Sequence, residues 1–504
     1  MIPLVNSSGK NLLQGQRYAT LSHCWGQAPI QCRLLTTNED DFQGNGGIPV
    51  AQLPTTFRQA IDVVRYLGIP YLWIDSLCII QDSAADWEVE SAAMAKVYGH
   101  ALVNLAAASS SDSRGGLFFG RDPDTVQPFT AYAPGSGTLA KGWYTWRDDM
   151  RWNRIGDEPL HRRGWVLQER LLSSRTIHFT KSELVWHCLQ QLGSESVPDV
   201  AVDTQHEACL AAGRINDYTD MRITTAEMMM MMKKKTVVSV SRAKLYQDWK
   251  RLVVQYTKCR LTKGEDKLVA VFGIIDRLEN LTGYRCLAGM WRSQMPRCLL
   301  WLVDWGLSGP PEKPRLPPTA RWRAPSWSWA SHDWAVEYVY CGDDAVCCTQ
   351  VVSTVVVTRQ NGSVLTGKLV LRGPVLDVDV GLVCGQVAAK ECQGTILLLP
   401  LPPRPETRLP VYCRVRTDGA YDSPSSSSTT TTGTTKALLV MQGWAYFLLL
   451  IVPVHAHEME PVVFRRVGVL VMEIENHQHP ALFQSGEGEK GLSWFQYTRQ
   501  IELV

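Results

Sequence analysis

The sequence predicts an α/β fold: a parallel sheet flanked by helices, then a helical connector and a β-rich C-terminal region. Three observations carry this. Short apolar runs alternate with helical periodicity from Tyr18 to Ala107, the pattern of repeated strand-helix units. Apolar residues recur at helical spacing between Leu245 and Ile275. Beyond Pro310 the chain turns to β-branched runs separated by turn signals.

Tyr18 to Ser22 reads as a short strand, with Cys24-Trp25-Gly26 as the turn after it. Thr56 and Gln59 have the spacing of a capping box, so a helix is expected to open there. Phe57, Ala60, Ile61, Val64 and Leu67 share one face of it, and Gly68 stands where a left-handed terminator is expected. The next strand runs from Tyr71 into a cluster of reactive side chains, Asp75, Cys78 and Gln81. A second box, Ser83 with Asp86, opens a helix that carries Trp87, Met94, Val97 and Tyr98 on one side. Ala101 to Ala107 is then a buried strand. Parallel sheets of this kind bind ligands at the carboxyl ends of their strands, beside a switch in strand order. Cys24 and Asp75 both fall at such ends. For Asp75, capping of the following turn through local backbone hydrogen bonds carries equal weight.

Arg163 to Arg175 reads as a helix followed by two short strands, around Ile177 and over Leu184 to Cys188. Gln168, Glu169, Arg170 and Arg175 crowd among Trp165, Leu167 and Leu171. The simplest account is an internal ion pair between Glu169 and an arginine. The functional account is a carboxylate held for substrate work, its pKa set by those arginines.

Farther on, Leu245, Trp249, Leu252, Val253 and Tyr256 mark one core helix, and Leu268, Val271, Phe272 and Ile275 another. Val351 to Thr358, the turn Gln360-Asn-Gly362 and Val364 to Leu371 form a hairpin. The aromatic-rich stretch Arg321 to Trp329 is read as packing rather than as a carbohydrate or base platform. The expected domains are 1–200, a connector over 201–240, a helical region over 241–310 and a β-rich region over 311–504. Disorder is expected around the Met-Lys run Met228 to Lys235, and flexibility over 423–435.

A formal net charge of +2 over 504 residues gives no support for nucleic acid or an acidic membrane as partner. The start of the chain lacks a charged leader and a long apolar run, so a cytoplasmic protein is expected. Fourteen cysteines without a Cys-x-x-Cys pair fit reduced thiols better than a disulfide framework or zinc. The longest clean apolar run of the Ala437 to Val454 segment is too short to span a bilayer, so strands are expected there. His23 and Cys24 point to opposite faces of a strand, so the thiol lacks an adjacent base. Cys78 needs a base such as His178 or His187, and His23, Cys24, His187 and Cys188 lack metal-ligand spacing.

Five blocks occur in an order that resembles the fungal heterokaryon incompatibility (HET) domain. They are Tyr18 to Gly26, Leu53 to Ile61, Tyr71 to Asp82, Met94 to Tyr98 and Arg163 to Arg175. The likeness spans roughly residues 4 to 195 and marks Ser22, Cys24, Trp25, Gly26, Trp73, Cys78, Gln81, Trp165, Gln168, Arg170 and Arg175 as motif positions. It implies a core similar to the TIR fold and a role in self/non-self recognition that ends in programmed cell death. A protein partner or self-association through the domain is expected with it, and no cofactor is required. Some TIR-like domains cleave the nicotinamide bond of NAD with a glutamate, which makes NAD the alternative's substrate, Glu169 the first catalytic candidate and Asp75 the second. No Gly-x-Gly-x-x-Gly loop follows the first strand, so dinucleotide binding rests on Arg170, Arg175 or helix N-termini.

Overall fold

The computed structural model describes residues 1–5, 15–26, 32–44, 46–121, 129–133, 142–146, 155–188, 191–195, 200–201, 242–304, 322–342, 345–378, 399–400, 412–417, 435–442, 445–454, 463–473 and 497–503. The chain divides into two compact units, Met1–Val238 with Val269–Leu281, and Ser239–Leu268 with Thr282–Val504.

In the first unit, strand β1 (Tyr18–Ser22) is followed by a short helix α1 (Glu39–Gln43) and by α2 (Thr55–Tyr66). Strand β2 (Tyr71–Ile74) leads directly into a single helical turn, α3 (Asp75–Cys78), and then α4 (Ala84–His100) and β3 (Val103–Ala106). A separate two-stranded sheet pairs β4 (Phe129–Ala133) with β5 (Gly142–Trp146). Helix α5 (Gly164–Leu172) then precedes β6 (Arg175–Phe179), β7 (Leu184–Cys188), β8 (Gln191–Ser194) and β9 (Val200–Ala201).

The main sheet has the order β2-β1-β3-β6-β7-β8-β9. Its first four strands are parallel and the other three continue it antiparallel. The order 2-1-3-4 of the parallel strands is the flavodoxin-like one, whose switch point lies between β1 and β3. Alternating residues of β1 explain its central place. Ala19 and Leu21 are fully buried with Phe57, Ala60 and Val64 of α2 in one hydrophobic core, while Thr20 and Ser22 are buried too and face Asn104 of β3. Truncating Phe57 alone would cost about 3–5 kcal/mol.

The helix ends show where local signals held and where tertiary partners took over. Gly68 does adopt the left-handed conformation, φ +65°, and the Ile69 amide donates to the Val64 carbonyl behind it. Ser83 caps α4 as expected, accepting from the Asp86 amide at 3.2 Å. The Thr56 and Gln59 box does not form. Helix α2 starts one residue earlier after Pro54 with no side-chain cap, and Thr56 Oγ1 instead accepts from the Gly116 amide at 3.0 Å. Gln59 Oε1 accepts from the amides of Leu117 and Phe118. Both side chains anchor the loop after β3 rather than their own helix.

Two long helices come next, α6 (Arg242–Lys258) and α7 (Val269–Thr282). The apolar stripes predicted for both are buried, including Leu245, Trp249, Val253, Val271 and Ile275. They part company in the fold: α6 belongs to the second unit and α7 up to Leu281 to the first.

The second unit pairs β10 (Cys286–Leu287) with β11 (Met290–Trp291), and β12 (Trp301–Val303) with β13 (Val336–Tyr338). Trp249, Trp291, Trp301, Trp327 and Trp329 are all fully buried, and Trp329 Nε1 donates to the Gly289 carbonyl at 2.9 Å. Packing is therefore what Trp327 and Trp329 of the aromatic-rich stretch do, while Trp322 is exposed. Strands β14 (Val346–Cys347), β15 (Gln350–Thr358) and β16 (Val364–Val378) begin a nine-stranded sheet. The hairpin of β15 and β16 turns at Gly362, as its Asn-Gly pair predicts. The sheet continues through β17 (Leu399–Pro400), β18 (Tyr412–Thr417), β19 (Thr435–Gln442), β20 (Ala445–Val454), β21 (Val463–Glu473) and β22 (Tyr497–Leu503). The apolar segment Ala437 to Val454 thus falls on strands β19 and β20. Among the described residues no helix is long and apolar enough to cross a membrane. The Met-Lys run lies outside the described residues, as does most of the Ser/Thr segment over 423–435.

Candidate functional site

The carboxyl ends of β1, β2 and β3 and the start of α5 meet at the switch point. Ser22, the last residue of β1, has its hydroxyl held by Asn104, whose Nδ2 donates to Ser22 Oγ at 3.0 Å while Thr20 Oγ1 donates to Asn104 Oδ1 at 3.0 Å. The Ser22 hydroxyl is shared between Asn104 Oδ1, 3.2 Å away, and the carboxylate of Glu169, which also receives a hydrogen bond from the Tyr98 hydroxyl of α4. Ser22, Tyr98, Asn104 and Glu169 are all buried, with Glu169 only 6 % exposed.

Burial raises the Glu169 pKa to about 7, because a buried carboxylate loses its hydration. The Ser22 and Tyr98 donors and the positive charge of Arg163 pull it back down, and the charge of Asp75 pushes it up. The site therefore holds a carboxyl group that exchanges its proton near neutrality. Such a group suits general acid-base work, and equally a switch between two packings.

Arg163 is the residue before α5, with extended backbone, and its guanidinium donates to the His23 carbonyl. It also hydrogen-bonds the Cys24 thiol and lowers that pKa, but burial wins and keeps Cys24 protonated. Cys24 packs with Ala106, Leu160 and Val166 as a small apolar group. His23 is buried edge-on against Phe57 at 4.9 Å, with Nδ1 3.7 Å from Asp75. Burial lowers its pKa to about 4 despite the attraction of Asp75, so the ring is neutral.

Asp75 is the more exposed carboxylate, 22 % by side chain. Its two oxygens make one local and one tertiary hydrogen bond. Its Oδ1 accepts from the Ser76 amide at 2.7 Å, the local cap, and its Oδ2 accepts from Trp25 Nε1 at 2.8 Å, a tertiary contact across the strand ends. Gln81 clamps the same turn through the carbonyls of Asp75 and Ile79. Gly26 has φ +85°, and a Cβ there would come within 2.6 Å of Asp112 Cβ, so the turn after β1 requires glycine.

The other motif positions lie outside this cluster or only border it. Trp73 packs edge-on against Tyr98 at 5.7 Å, and so supports the tyrosine that reaches Glu169. Trp165 is half-buried on the first turn of α5. Burial pushes the Cys78 thiol up to about 12. Gln168 faces α7, where Gly273 lies against it. Arg170 acts on two buried histidines of a separate group, His161 and His178, beside which lies His187. Arg175 is exposed and reaches the Leu102 carbonyl at 3.4 Å. The arginine whose charge acts on Glu169 is thus Arg163, because residues 169 and 170 point away from each other on a helix while the chain entering α5 returns past β1.

Tyr98, Asn104 and Arg163 escaped the reading of the sequence as site residues. Asn104 alone carried a signal, a polar residue inside the apolar strand Val103 to Ala107. A groove lined by Asn38, Asp40, Asp41 and Gln52 contains none of the site residues. Among the described residues no group of three His, Cys, Asp or Glu side chains could hold a metal ion.

The family model described as Heterokaryon incompatibility protein (HET) matches residues 18–169. Its limits are the first residue of β1 and the buried glutamate of α5. The stretch is a HET domain, as the five blocks implied. No curated protein and no solved structure matches the chain.

Proposed function

We propose that this chain is a heterokaryon incompatibility protein that triggers programmed cell death, with its HET domain acting as a signalling module. The recognition step is contact with a protein partner or a second copy. The supporting observation is the closure of Glu169: at 6 % exposure, with donors from β1 and α4 and the charge of Arg163 in place, the group is built into the packing. A proton exchanged near pH 7 at such a position couples to conformation, which is what a signalling element needs. Kinship with the TIR fold is part of this reading, supported by the 2-1-3-4 order of the parallel strands.

A second reading has its own support. Glu169 and Asp75 both lie by the switch point of a parallel sheet, where ligands bind, and Asp75, with its side chain 22 % exposed, is the carboxylate that can face a developing oxocarbenium ion in NAD cleavage. One experiment separates the two. The full chain is expressed in fungal cells as wild type, Glu169→Gln and Asp75→Asn, and purified protein is incubated with NAD. Killing lost in both folded variants, with no NAD loss in wild type, is the expected result. NAD loss that disappears in Asp75→Asn would establish the nucleosidase instead. Folded variants that kill like wild type would remove Glu169 and Asp75 from either mechanism.

A further inference from the structure

Gln168, next to Glu169 on α5, is 1 % exposed, and neither its Oε1 nor its Nε2 has a hydrogen-bond partner. A buried amide with both ends unpaired is penalised, and native structures keep such groups where strain or movement has a use. What covers it is α7. A Cβ on Gly273 would lie 2.6 Å from Ala95 Cβ of α4, 3.0 Å from Gln168 Oε1 and 3.3 Å from Leu172 Cδ1. Only glycine lets α7 come this close to α4 and α5. The rest of α7 is firmly held, with Val269, Val271, Ile274, Ile275, Leu278 and Leu281 buried. Its seat on α5 is therefore the one poorly satisfied part of a well-buried helix.

The chain connectivity gives this seat a purpose. Helix α7 belongs to the first unit, but the residues on both sides of it, up to Leu268 and from Thr282, belong to the second. Helix α7 is therefore joined in sequence, at both ends, to residues of the second unit. Helix α5 in turn carries Glu169, buried at 6 % exposure.

We infer that α7 is a strap that holds α5 closed over Glu169, and that its release from the Gln168 seat is the step that switches the HET domain on. This regulation rests on the reading of Glu169 as the signalling residue. A seat lined by an unpaired amide is easier to leave than an apolar one, and the two states then differ little in free energy.

The test uses the full chain and two readouts, amide hydrogen exchange over residues 164–172 and killing in fungal cells. Gly273→Ala wedges the helices apart and should speed exchange in α5 about tenfold and raise killing. Adding Ala95→Gly makes room for the new methyl and should return both readouts towards wild type. Gln168→Leu removes the unpaired amide at similar volume and should slow exchange and suppress killing. Exchange over 164–172 that is the same in all three variants would overturn the strap. Exchange that shifts as stated while all three kill equally, with Glu169→Gln inert, would overturn its regulatory role and leave the signalling function intact. A wild type that never kills, with the exchange pattern as stated, would remove the signalling reading and leave α7 as the element that controls the opening of α5.

Discussion

Two buried polar clusters grow from consecutive residues of α5, and they are solved in opposite ways. Glu169 enters a cluster with hydroxyl donors, Ser22 and Tyr98, and the compensating charge of Arg163. Arg170 enters one where His178 lies 5.2 Å from the His161 ring and 6.3 Å from the His187 ring. The first cluster accommodates a charge and titrates near 7. The second keeps its imidazoles neutral, because burial and the charge of Arg170 both lower the pKa of His161 and His178 well below the usual histidine range. Burial disfavours charge in both clusters, and it acts in opposite directions because one holds a carboxyl group, whose pKa it raises, and the other imidazoles, whose pKa it lowers.

The largest expected effect follows from the buried histidines, His161 and His178 of the second cluster and His23 beside Asp75. A histidine whose folded pKa is depressed adds stability that is present above its unfolded value of about 6.5 and is lost as pH falls below it. His161, His178 and His23 all act in this direction. For His23, at about 4, full titration corresponds to roughly 3 kcal/mol, and the other two add to it. Urea unfolding should therefore show a steep loss of stability from pH 6.5 to 4, and His178→Leu should make it shallower. The same acid slope in that variant would break the contrast between the clusters.

Glu169 should act with the opposite sign. Its folded pKa is raised from 4.5 to about 7, so its contribution is fully present below pH 4.5 and is lost as pH rises to 7, by roughly 3 kcal/mol in all. Glu169→Gln should remove that slope and make the variant more stable than wild type above pH 7. An unchanged slope between pH 4.5 and 7 would mean that Glu169 is not the proton site. Tyr98→Phe sharpens the same point at smaller cost, about 1–2 kcal/mol for the lost hydroxyl. With one donor fewer, the apparent pKa of Glu169 should rise further, which the pH dependence of unfolding would report.

The first strands, the Ser83 cap and the Gly68 terminator were legible in the sequence because each lies in a short run. The order of the strands, and the approach of Glu169 on α5 to Ser22 on β1, are set by tertiary packing and are not written in any one run. What failed depends on distant partners. Thr56 and Gln59 had a better use for their side chains in the loop at Gly116 to Phe118 than in their own helix. Tyr98 carried only the signal of a helix face, since a buried tyrosine ring reads as core whatever its hydroxyl meets. No pattern near Val269 announces that α7 leaves its neighbour α6 to close the first unit, because its apolar stripe would suit any core.

The arginines give the smallest effect and the most direct check on this account. Arg175 and Arg170 were expected at Glu169 by proximity in sequence, and only Arg163 acts on it. Arg175 lies at the exposed start of β6 with one long contact to a backbone carbonyl, so Arg175→Ala should change stability by no more than about 0.5 kcal/mol and leave the Glu169 slope untouched. Arg163→Met keeps the aliphatic stem but removes the charge that lowers the Glu169 pKa, so the midpoint of that slope should move to higher pH. If Arg175→Ala moved the midpoint and Arg163→Met did not, the helix entry would have been misassigned, and with it the separation of the two clusters on α5.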